Sequence, residues 1–135
     1  MIRGFTCSSF DLFHAGHLSM LREAKDQCDY LYAFLQTNPT IDRPTKNMPV
    51  QSVHERYLQV SSCKYVDEVI PYTTEEDLLD LINLINPDIR IIGEEYRETN
   101  YTGRELPIEV FYNSRKHTLS SSSLRERVVS SWKKS

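Results

Sequence analysis

The chain has 135 residues, 39% of them apolar and 26% charged, and a formal charge of -3 from sixteen Lys and Arg against nineteen Asp and Glu. That length supports one hydrophobic core and leaves too little chain for a second, so residues 1–135 read as a single domain. A slightly acidic balance and apolar runs of only a few residues exclude a broad basic nucleic-acid face and a bilayer crossing.

In chain order, Ile2 to Cys7 predict a short strand, and Leu18, Leu21 and Ala24 then recur at helical spacing. Tyr30 to Leu35 form a continuous apolar run, the mark of a central strand covered on both faces. "QTNPTIDRPTKNMP" follows, with three prolines and two asparagines, and reads as an irregular connection. The next helix opens at Ser52, where Glu55 three residues on completes a capping box, with Val53, Tyr57 and Val60 as its buried stripe. Val66 to Ile70 predict a strand closed by Pro71. "TEEDLLDLINLI" predicts a helix capped by Thr74, with Leu78, Leu81, Ile82 and Ile85 facing inward and Pro87 ending it. Ile89 to Ile92 and Ile108 to Phe111 are further strands. A last helix starts among the serines after Leu119, with Leu124, Val128 and Trp132 at i, i+4 spacing.

Strands alternating with helices at this spacing define an α/β fold, a Rossmann-like parallel sheet with helices on both faces. Ligands in such sheets sit beyond the carboxyl ends of the strands, where strand order reverses. Four regions converge there: the 8–17 loop, the Lys46 loop, the turn after Gly93, and the connection from Arg115 to Ser122. His14 and His17 are the most suggestive pair. With a helix starting near Ala15 or Gly16, His14 stands at the cap and His17 in the first turn on the same face, and Gly16 between them permits close approach to backbone. Zinc is poorly supported, because no Cys or carboxylate stands at a metal-ligand spacing beside them. Cys7, Cys28 and Cys63, odd in number and widely spaced, suit a reducing cytosol, and the N-terminus has no secretory pattern; the expected location is cytoplasmic.

The segment "SSFDLFHAGH" resembles the first signature of the cytidylyltransferase-like nucleotidyltransferases, in which a small polar pair, Phe-Asp and His-x-Gly-His follow the first strand. The likeness continues through "HERYLQVSSCKYVDEVIPY", "RIIGEEY" and "SRKHTLSSSSLRERV", and is strongest toward the glycerol-3-phosphate cytidylyltransferases. It implies that Ser8, Ser9 and Phe10 lie against nucleotide phosphates, with Asp11 organising the loop and Gly16 giving access. His14 and His17 would contact the triphosphate, and Lys46 and Arg115 would clamp the reacting phosphates. Arg56, Gly93, Ser120, Ser121 and Ser122 would complete the nucleotide site, with no metal held by the protein itself. Three departures stand out: Ser8-Ser9 replaces the usual Gly-Thr, Tyr96 stands where a tryptophan is usual, and Lys64 replaces an arginine. The last exchange loses the planar fork.

The implied reaction is CTP plus a phosphorylated polyol, glycerol 3-phosphate first, giving a CDP-alcohol and pyrophosphate, with Mg²⁺ arriving on CTP. The acceptor phosphate is itself the nucleophile, so the obstacle is the meeting of two anions, which fixed cationic and hydrogen-bonding groups remove. Tyr96, Arg97 and the "ETNYTGRE" stretch are candidate acceptor contacts. The resemblance also implies a homodimer, with residues 52–62 as a contact. Rival readings are another polyol or sugar phosphate as acceptor, adenylyl transfer on a related fold, and a noncatalytic nucleotide-binding assembly protein.

Overall fold

Strands β1 (Arg3–Ser8), β2 (Tyr30–Gln36), β3 (Glu68–Tyr72), β4 (Ile89–Gly93) and β5 (Glu109–Asn113) alternate with helices α1 (Ala15–Asp26), α2 (Val53–Ser61), α3 (Glu75–Ile85) and α4 (Ser121–Lys134). The computed structural model describes residues 1–114 and 120–134. All neighbouring strands are parallel, in the order β3-β2-β1-β4-β5. The chain runs outward from β1 to β3, then returns past β1 to β4, so strand order reverses beside β1. That is where such sheets open a ligand crevice.

Side-chain alternation along β2 divides the core. Leu31, Ala33 and Leu35 pack with Leu21, Ala24 and Val60 of α1 and α2. Tyr32 and Phe34 pack with Phe5 of β1 and with Leu78 and Ile82 of α3 on the other face. All of β2 between its two end residues is buried, as expected of a strand with helices on both sides. The Phe5 and Phe34 rings stack at 5.0 Å.

The capping boxes form as their spacing predicts. Ser52 and Glu55 exchange side-chain-to-amide bonds at α2, and Thr74 and Asp77 do so at α3. Four expectations need correction. Strand β3 runs through Pro71 and is not closed by it; β3 is an edge strand and Pro71 is exposed, so its missing N–H leaves no ladder bond unmade. On α2, Val53 and Tyr57 are partly exposed, at 36% and 39%, and the buried stripe is Arg56 and Val60. On α4, Val128 and Trp132 are 60% and 82% exposed, so that apolar spacing does not face the core. Leu18 of α1 is likewise 41% exposed, whereas Leu21 and Ala24 are buried.

Candidate active site

The loop after β1 carries two non-glycine residues with positive φ, Phe10 and Leu12, both at 52°. Each such residue costs about 1 kcal/mol, so the surroundings must hold the loop in place. The Phe10 amide donates to Ser8 Oγ at 3.1 Å, and the Leu12 amide to Gln51 Oε1 at 2.9 Å. The Phe10 ring is fully buried among the α1-side core residues.

At the start of α1 the two histidines cap each other's backbone. His14 Nδ1 accepts from the Gly16 amide at 3.0 Å, and His17 Nδ1 accepts from the His14 amide at 3.1 Å. A ring whose Nδ1 accepts an amide hydrogen carries its own hydrogen on Nε2, so each imidazole presents a donor there. The rings lie 4.1 Å apart, and His17 is stacked parallel on Phe13 at 5.4 Å with Phe10 beside it at 5.7 Å. The spacing of three thus yields one rigid imidazole pair.

Asp11 ties this loop to two other segments. Its carboxylate accepts from the Val50 and Gln51 amides at 2.8 and 3.0 Å and pairs with Arg125 of α4 at 2.6 Å. Burial works to raise its pKa, but the Gln51 and Val50 amides and the Arg125 guanidinium outweigh it and hold the carboxyl below its ordinary value.

Arg56, 2% exposed, lies beneath the loops. Nε donates to the carbonyls of Gln51 and Ser52, Nη1 to Ser9 and Gln36, and Nη2 to Thr37, at 2.7 to 3.3 Å. It therefore joins the ends of β1 and β2 to the start of α2, and is not among the residues lining the cleft, although the resemblance places it in the nucleotide site. Lysine cannot reproduce this fork. Arg56→Lys is expected to lose about 2 to 3 kcal/mol of stability, read as a lower urea midpoint with an unchanged slope.

A cleft of about 530 Å³ opens beyond β1 and β4. His14, Gly16, His17, Ser8 and Ser9 line it from the first loop, Lys46 from the long connection, Gly93 from the end of β4, and Ser120 and Ser122 from the start of α4. Ser120 Oγ accepts from the Ser123 amide at 3.0 Å, so Ser120 caps the helix that Ser121 opens. Phe10 is not among the lining residues; it sits behind them. Arg115 lies outside the described residues. Tyr96 lines the cleft, but Arg97 lies over the Tyr112 ring at 4.5 Å, and Lys64 over Tyr65 in a groove with Leu18 and Arg22.

Several lining residues were not singled out from the sequence: Arg125, Arg90, Asn113, Arg43 and Gln36. Arg125 stands in the closing segment quoted above, yet nothing local distinguishes it from Arg127. Arg90 occupies a strand position that reads as apolar. Cys7 also lines the cleft, and its thiol is pushed up to about 11 by burial, opposed by Arg90. Among the described residues, no three His, Cys, Asp or Glu side chains converge as metal ligands, and no helix is long and apolar enough to cross a membrane.

A parallel sheet with polar and cationic side chains gathered at its switch point, and the start of α4 lining the same crevice, has the layout of the nucleotide-binding α/β folds. The cytidylyltransferase-like family matches residues 5–127, and the chain belongs to that family. The chain is 34% identical to the ethanolamine-phosphate cytidylyltransferase of Dictyostelium discoideum over 131 residues, covering 89% of this chain and 36% of that protein. It is 35% identical to the bifunctional protein HldE of Helicobacter hepaticus over 107 residues, covering 78% and 22%. The chain thus spans little more than a third, or less, of these relatives. Among solved structures, the lipopolysaccharide core biosynthesis protein of Thermoplasma volcanium GSS1 superposes with a TM-score of 0.70 at 24% identity, covering 84% of this chain and 97% of that one. These matches establish the family and the fold, and not the glycerol-3-phosphate branch toward which the sequence resemblance leaned.

Proposed function

We propose that the protein transfers the CMP group of CTP to the phosphate of a phosphorylated alcohol or sugar. An acceptor phosphate oxygen forms the new bond to the α-phosphorus. The bond from that phosphorus to the bridging oxygen breaks, and its electron pair leaves with pyrophosphate. The convergence of His14, His17, Lys46 and the Ser120 end of α4 on one cleft carries this reading, since in-line displacement between anions needs fixed donors around the leaving group. In it the two Nε2–H groups donate to the bridging or leaving oxygens, Lys46 and Arg115 clamp the reacting phosphates, and Ser8, Ser9, Gly93, Ser121 and Ser122 surround the nucleotide. CTP would be taken as its magnesium complex, in which the ion would lower the charge of the triphosphate.

Glycerol 3-phosphate, other polyol and sugar phosphates, and phosphoethanolamine are the acceptors to compare. Free cysteines at positions 7, 28 and 63 are in keeping with action in the cytoplasm. The partly exposed Val53, Tyr57 and Leu58 on α2 support a homodimer through this helix, to be checked by light scattering, where a monomer mass at high concentration would remove it. Pyrophosphate release, measured with CTP or ATP and each acceptor, tests the reaction. Strong preference for ATP would overturn the choice of base. Nucleotide binding without pyrophosphate from any acceptor would instead identify a noncatalytic binding protein.

A further inference from the structure

Two arginines among the described residues are buried, Arg56 and Arg90, and their surroundings differ in kind. Arg56 places its guanidinium nitrogens on five backbone carbonyls. Arg90, 7% exposed on β4, lines the cleft with far fewer partners. One of its five N–H groups donates to the Thr102 carbonyl, and Nη2 faces Cys7 Sγ at 3.9 Å. Its Nε is buried with no hydrogen-bond partner, and among the described residues no carboxylate pairs with it. A buried cation left this incomplete favours an oxygen-bearing ligand that supplies the missing acceptors.

The surroundings fix the kind of ligand. Arg90 lies over the Phe5 ring at 5.3 Å and the Tyr101 ring at 4.8 Å. Arg104 takes the Tyr101 ring as well, at 5.2 Å, and Arg97 takes Tyr112. Of the aromatic rings lining the cleft, the one beside Arg90, Tyr101, is therefore already taken by two guanidinium groups, while among the described residues Tyr72 and Tyr96 line it without one. Among the described residues three carboxylates line the cleft: Glu75 lies 3.7 Å from Arg43 and accepts from Gln36 at 3.4 Å, Asp11 pairs with Arg125, and Glu95 folds back against Gly93 at the end of β4. Gly103, with φ of +87°, lets the chain pass close by, because a Cβ there would stand 3.3 Å from Arg90 Nη1.

We infer that Arg90 selects the acceptor, favouring a phosphorylated compound whose alcohol part presents hydroxyl or carboxylate oxygens and rejecting one that carries an ammonium group. The inference rests on the transfer reaction proposed above. Arg90 lies over Phe5, which packs on the α3 face of the sheet, whereas His17 lies against Phe10 and Phe13 on the α1 face. With the leaving pyrophosphate on the imidazole side, in-line geometry therefore brings the acceptor from the side of Arg90. An ammonium group there would meet the Arg90 charge with little solvent between them, and like charges at such range are costly.

The test compares kcat/KM for glycerol 3-phosphate, an aldose phosphate and phosphoethanolamine at saturating magnesium-CTP, in wild type, Arg90→Lys and Arg90→Met. Wild type is expected to favour the best hydroxylated acceptor over phosphoethanolamine by at least about tenfold. Arg90→Met is expected to raise that acceptor's KM by about tenfold or more with the KM for CTP within about twofold, and Arg90→Lys to fall between. Phosphoethanolamine as the preferred wild-type acceptor, or an unchanged acceptor KM in a folded Arg90→Met, would overturn the inference and leave the transfer reaction standing. Even if both variants fail to fold, a wild-type preference for phosphoethanolamine still overturns the inference. Absence of pyrophosphate with every acceptor would overturn both.

Discussion

His17→Ala is expected to lower turnover by about a hundredfold to a thousandfold, the usual loss when one preorganised transition-state donor is removed, while the KM for CTP changes far less. The imidazole also accepts the His14 amide, so the variant loses part of the α1 cap and about 1 kcal/mol of stability. A second variant separates the two effects. His17→Asn keeps a short polar acceptor for that amide but cannot place a donor where Nε2 stands; its melting temperature should recover toward wild type and its turnover should not. An unaltered turnover number in His17→Ala, with the protein folded by circular dichroism, would remove this ring from the reaction.

The second large effect concerns stability. Asp11→Ala leaves Arg125 without its carboxylate and the Val50 and Gln51 amides without their acceptor, in a site where the Asp11 side chain is 5% exposed. Removing one partner of such a buried pair is expected to cost about 3 kcal/mol. The sign with pH follows from the lowered carboxyl pKa. The stabilisation is fully present above the unfolded-state value, about pH 4, and is lost as pH falls through the lower folded-state value. Urea unfolding should therefore show the gap between wild type and Asp11→Ala wide at pH 7 and narrowing toward pH 2. A gap independent of pH would mean that the charge of Asp11 contributes nothing. Activity should fall with stability, since the strained 8–17 loop loses its tie to the helix that follows it in space.

The parts of this fold that were legible in the sequence are those whose causes are local. Ser52 with Glu55, and Thr74 before an acidic turn, announce helix starts because the bonding groups are three residues apart. The His14 cap was legible as a position, but its reciprocity with His17 was not, because histidine is not a favoured capping residue. The burial of Arg56 is illegible in the sequence for a different reason. An arginine inside a helix reads as polar surface or ligand contact, and only the meeting of the β1, β2 and α2 ends supplies the carbonyls that let it be buried. Arg90 and Arg125 went unnoticed because their meaning lies in what the sheet edge brings beside them. Pro71 misled because edge and central strands look alike until strand order is known.

The Asp11–Arg125 pair joins residues 114 apart in the chain. Because its partners are so distant along the polypeptide, the pocket has no local precursor: during synthesis, it stays unfinished until the closing helix has emerged and docked. Occupancy by substrate should accordingly retard global unfolding and blunt protease attack on both terminal segments together, since one latch secures them.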